Sequence, residues 1–186
     1  MAVVERFRPA GYHPSMARAR SARSLVAWRR QFVARIGRSR AATQALLAKL
    51  PREAIERSRT QGAWSIKDVL AHVAAWEEEG IRRLRLIARG RGDRMVWYET
   101  MAEADRYNAR AVRAARRTPL PRLLARLARA RTGLVAALRR LPPRALSDPT
   151  PGLPVTVWLR EFAWTHERGH RQEIRDWWRA QRRRRA

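Results

Sequence analysis

The sequence predicts an all-α fold, a four-helix bundle with one long helical crossover between its second and third bundle helices. Three observations carry this. Apolar residues recur with a period near 3.6 in four long segments. Alternating runs of period 2 and Asn-Gly or Asp-Gly hairpin turns do not occur. Pro51, Pro142 and Pro143 close segments, and Pro119 and Pro121 open one. The 186 residues suit one domain that can bury a core without disulfides, and the chain has no cysteine to form one.

Residues 1 to 20 contain Pro9, Gly11 and Pro14 without a period and read as a basic, mostly irregular extension. Met16 is an alternative start, since the helical pattern begins soon after it. The bundle is expected over residues 21 to 181. Ser21 or Ser24 can cap its first helix, whose stripe is Leu25, Trp28, Phe32, Ile36, Thr43, Leu46, Leu47 and Leu50, with Pro51 as the stop. The second helix starts after Gly62, with Ser65 as N-cap and Asp68 in the reciprocal role of a capping box. Its stripe is Ile66, Val69, Val73, Trp76, Leu84 and Ile87. Lys67, Glu78, Arg82, Arg85 and Arg89 take the exposed side, and Gly90 or Gly92 ends it.

Residues 93 to 117 form the crossover, with a helical pattern at Met101, Ala104, Asn108, Ala111 and Ala115. Pro119 and Pro121 suit the opening turn of the third bundle helix, which carries Leu120, Leu123, Leu124, Leu127, Leu134, Leu138 and Leu141. A proline-rich loop over residues 144 to 154 follows. One last helix is expected from about Val155 to Gln181, with Trp158, Phe162, His166, His170, Ile174 and Trp177 inward. Residues 182 to 186 read as a solvated basic tail.

The formal charge is +26, from 42 basic and 16 acidic residues. Such a field attracts nucleic acid or an anionic membrane. Only Lys49 and Lys67 are lysines, the other 40 basic residues being arginine, and they are spread over the whole chain. That lopsided bias reads as composition before it reads as a binding surface. Nucleic-acid binding is therefore expected to be weak, non-specific and lost as salt rises. No apolar run approaches the roughly 20 residues that span a bilayer, and no secretory segment follows Met1. The expected location is cytoplasmic, with no membrane partner.

Four histidines are present. His13 falls in the irregular extension. His166 and His170, four residues apart, project side by side from the last helix. His72 sits on the buried side of the second helix, three residues from Val69 and four from Trp76. Imidazoles from facing helices can complete an open-sided cation site. The plainer alternative is three core histidines, each satisfied by one hydrogen bond. Glu167 lies about 100° around the helix from His166 and is expected to be exposed. Glu77, five residues past His72, stays open as a base, and no catalytic acid or base is named. Trp64, Trp76, Trp158, Trp164, Trp177 and Trp178 flank the histidine helices, as core packing or as an aromatic wall for an apolar substrate.

The block Gly62-Ala63-Trp64-Ser65-Ile66-Lys67-Asp68-Val69-Leu70-Ala71-His72-Val73-Ala74-Ala75-Trp76-Glu77 resembles the second helix of the DinB-like superfamily. The segment His166-Glu167-Arg168-Gly169-His170-Arg171-Gln172-Glu173-Ile174 resembles its closing helix. Tyr107-Asn108-Ala109-Arg110-Ala111-Val112 and the leucine-rich helix ending Leu138-Arg139-Arg140-Leu141-Pro142 are most similar to the ClbS/DfsB branch. The resemblance covers roughly residues 24 to 178. It implies an up-down-down-up bundle and a divalent metal, zinc or nickel, on His72, His166 and His170. It further implies thiol-dependent transfer or hydrolysis acting on a small molecule, with a low-molecular-weight thiol as a possible co-substrate, and a homodimer. The enzyme reading rests on the resemblance alone. A reading from another class makes the chain a non-catalytic protein whose cationic surface holds nucleic acid or another polyanion.

Overall fold

The structure, a computed structural model, describes residues 21–95, 98, 100–148 and 153–184. The extension over residues 1 to 20, with His13 and Met16, lies outside them, as do residues 149–152 of the proline-rich loop and the last two residues of the basic tail. The described chain is helical, its β pairing limited to an isolated bridge between Gln61 and Trp64. Among the described residues no helix is long and apolar enough to cross a membrane.

Helix α1, Ala22–Leu47, starts on Ser21, whose hydroxyl accepts from the Ser24 amide. Pro51 does more than stop this run. It serves as N-cap of a short helix α2, Arg52–Glu56, which the apolar pattern does not reveal. Helix α3, Ile66–Ala88, has both bonds of the Ser65–Asp68 capping box. Its chain turns away at Gly90, whose φ of +67° is a left-handed value that glycine adopts without a Cβ penalty. The crossover carries α4, Met101–Ala115, capped by a second box between Thr100 and Glu103. Helix α5, Leu120–Arg140, opens on Pro119 with Pro121 in its first turn. It buries the expected leucines except Leu124, which falls at the edge of the face and is 36% exposed.

The expected last helix is two. Helix α6, Val155–Ala163, and helix α7, Thr165–Arg183, are separated by Trp164 at φ −113°, ψ −58°. Nearby groups take up carbonyls at the break. The Thr165 hydroxyl donates to Arg160 O at 2.8 Å, and Arg131 Nη2 donates to Ala163 O at 3.0 Å. The apolar period continues on both sides, so spacing alone cannot show the break.

Helix α3 is the centre of the bundle, packed on α5, α4, α6 and α7, while α1 packs on α7 and α5. It approaches α5 closely. A Cβ on Gly133 would lie 2.9 Å from Ile81 Cδ1, and one on Gly80 would lie 3.1 Å from Leu134 Cδ1. The apolar interior has two halves. One gathers Phe32, Ile36, Trp76, Leu134, Leu138 and Phe162. The other gathers Leu47, Val69, Val73, Leu123, Leu127 and Ile174. On α1 and α5 the change from one half to the other falls at a stretch with a buried arginine, Arg40 and Arg131.

Candidate metal centre

His72 comes from α3 and is 1% exposed, while His166 and His170 come from successive turns of α7 and are half-buried. The three rings turn their Nε2 atoms toward a common point. His72 Nε2 lies 2.7 Å from His166 Nε2, which lies 3.1 Å from His170 Nε2. One nitrogen from each ring falls within 4.8 Å of the others. A tetrahedral ion with metal–nitrogen bonds near 2.0–2.1 Å spaces its ligands about 3.3 Å apart. The nitrogens are therefore already at near-coordinating separation. The rings meet edge to face, with His72 and His166 inclined by 78°.

Protonation favours ligation. Burial first, and then the neighbouring His170, pushes His72 down to about 3, against the opposing influence of Asn108. His72 is therefore neutral near pH 7, as a ligand must be. His170 Nδ1 lies 2.9 Å from Glu173 Oε2. A proton on Nδ1, donated to that carboxylate, leaves the Nε2 lone pair facing the other two rings. Three imidazoles, with no carboxylate joining the cluster among the described residues, fit a divalent cation. Trp64, on the loop closed by the Gln61–Trp64 bridge, places its ring 5.0 Å from that of His72.

All three histidines singled out from the sequence thus converge. Glu167 departs from its expected place. Glu167, anticipated on the surface, is 2% exposed, and Glu77 is fully buried. The cause is a pair of arginines that sequence reasoning missed. Arg40 of α1 reaches Glu77 at 2.8 Å and Glu167 at 2.6 Å. Arg131 of α5 bonds both carboxylates as well, Glu77 at very short range and Glu167 at 2.8 Å. One charge from each of α1, α3, α5 and α7 closes a neutral quartet between the two apolar halves.

Spare donors of both guanidinium groups meet helix carbonyls, Arg40 at Leu127 and Arg131 at Ile36 and Ala163. Burial would raise Glu167, but Arg131 and Arg40 outweigh it and hold the carboxyl below its ordinary value. Burial wins at Glu77, which is raised. Its Oε2 has no hydrogen-bond partner among the described residues. The quartet engages both oxygens of Glu167 and Oε1 of Glu77. The signal for the arginines was present in the sequence. Arg40 follows Ile36 by four residues and Arg131 follows Leu127 by four, on the buried stripes. Among 40 arginines they do not stand out.

Of the tryptophans, Trp76 and Trp158 belong to the core, while Trp64, Trp164, Trp177 and Trp178 are half-buried. Among them Trp64, half-buried, is in contact with a site histidine. No curated protein and no solved structure matches the chain. The family model of the DinB superfamily matches residues 35–174, a span that holds all three histidines and the arginine–glutamate quartet. The chain belongs to the DinB superfamily.

Proposed function

We propose that this chain is a metal-dependent enzyme of the superfamily's ClbS/DfsB branch, folded in the up-down-down-up order. Its reaction is thiol-dependent transfer to a small electrophile, or hydrolysis of one. The observation that supports this best is the convergence of three Nε2 atoms from two helices. His72, His166 and His170 would hold zinc or nickel. When bound, the ion supplies Lewis acidity, favouring deprotonation of water or of a low-molecular-weight thiol near neutral pH.

The chain's own residues do the rest. His72, buried and neutral, anchors the site to the central helix. His166 and His170 complete a face that stays open toward solvent, since both are half-buried. Trp64 offers a flat apolar wall beside His72 for the substrate. A cytoplasmic location and a homodimer belong to the same reading.

Elemental analysis of protein purified without a histidine tag tests it, followed by turnover of electrophilic substrates with and without added thiol. One zinc or nickel per chain and thiol-dependent turnover are expected. Absence of saturable binding of either ion would sink the proposal.

Glu173 gives a finer check. Its side chain is 62% exposed, so water screens its bond to His170. Glu173→Gln is therefore expected to weaken metal binding by about tenfold at most, the low end for groups that orient ligands. Titration calorimetry reads this. An effect as large as loss of a histidine would show that the carboxylate itself is a ligand.

A further inference from the structure

At the far end of α7 a second feature stands apart from the histidines. A hollow of about 500 Å³ is lined by Leu46, Lys49, Arg175, Trp178, Arg179 and Arg182. A second hollow, of about 300 Å³, adjoins it across Trp178 and is bordered by Trp177, Pro51 and Ala54 of the α2 turn. The two indoles sit with ring centroids 5.9 Å apart and planes inclined by 33°. The larger hollow therefore has four cationic side chains, one indole and no lining carboxylate. Its charge is partly offset by Asp176, 3.9 Å from Arg179, and Glu53 borders the smaller hollow.

The chemistry of this surface is specific. Cations fix phosphates and give no base information. A half-buried indole with a face in an open hollow stacks on any aromatic ring of comparable size. Two such rings side by side, flanked on one edge by cations, suit a chain of alternating bases and phosphates. Duplex bases are already stacked and do not offer their faces. The +26 charge of the chain adds a long-range attraction for a polyanion that a single small anion exploits less.

We propose that this face binds single-stranded nucleic acid, with successive bases on Trp178 and Trp177 and phosphates among Lys49, Arg175, Arg179 and Arg182. The site does not depend on the metal. Its parts come from the C-terminal ends of α1 and α7, far apart in the chain, so no linear motif announces it.

The test uses the full chain and a labelled oligothymidylate of about 15 nucleotides, a typical single-strand site size. Fluorescence anisotropy gives affinity at low and physiological salt, and tryptophan quenching reports stacking. Replacing Arg175, Arg179 and Arg182 together by glutamine is compared with replacing the exposed Arg106, Arg110 and Arg113 of α4, which removes the same charge. The first set is expected to lower affinity about tenfold or more, and the second no more than about threefold. Trp178→Ala should remove most of the quenching. If it unfolds the helix end, the exposed arginine set still decides. Equal losses from the two sets would overturn the proposal. So would a duplex of the same length binding as tightly, or adenosine monophosphate competing at equal concentration, which would make the occupant a free nucleotide.

Discussion

His166→Ala is expected to lower the affinity for zinc or nickel more than about 100-fold, because groups that merely orient ligands already cost about 10–100-fold. His166 is the central member of the cluster, 2.7 Å from His72 and 3.1 Å from His170. Without it two nitrogens remain, and these belong to different helices. The bundle should persist, since the ring is half-buried and the apolar stripes of α3, α5 and α6 are untouched. His170→Ala acts in the same direction. Calorimetric titration of metal-free protein, paired with thermal melts, checks both variants. Unchanged affinity in a folded His166→Ala protein would rule it out as a ligand.

The largest stability effect is expected at Arg131. Its guanidinium meets Glu77, Glu167 and the carbonyls of Ile36 and Ala163. Arg131→Met leaves two buried carboxylates with Arg40 alone, an imbalance that costs about 3–5 kcal/mol in such pairs. Lysine does not substitute, because one ammonium cannot span acceptors on four helices as a planar fork does. Replacing Arg40, Glu77, Arg131 and Glu167 together by apolar residues should recover most of the loss, since desolvation of the charges disappears with them. Urea unfolding measures all three variants. A loss below about 1 kcal/mol for Arg131→Met, ordinary for a surface position, would mean that the quartet is solvated and not sealed.

What the sequence disclosed follows from what local patterns encode. The capping box at Ser65 and Asp68, the leucine face of α5 and the inward direction of His72, His166 and His170 all depend on helical spacing alone, and they stand in the structure. Leu124, 36% exposed, shares the leucine period but lies at the edge of the buried face, a limit that spacing does not encode. The break at Trp164 was hidden because its carbonyls are satisfied from α5 and from Thr165, one partner being distant in the chain. Glu167 was misplaced for a related reason. A carboxylate is expected on the surface unless its counter-charges are known, and those sit on α1 and α5.

The buried quartet also bears on how this chain avoids folding wrongly. Helix α5 is built from few residue types, with leucine, alanine and arginine recurring at short intervals. A leucine face repeated this way tolerates axial slippage, because one apolar contact replaces another at little cost. Arg131 removes that tolerance. A slip of one turn, about 5.4 Å, would carry its guanidinium away from Glu77 and Glu167 and leave both buried carboxylates to Arg40 alone. Glu167 imposes the same condition on α7, and His166 is its neighbour in the chain. The charges that set helix alignment thereby also set the height at which His166 and His170 meet His72, so a misaligned bundle would lose its order and its metal ligands together.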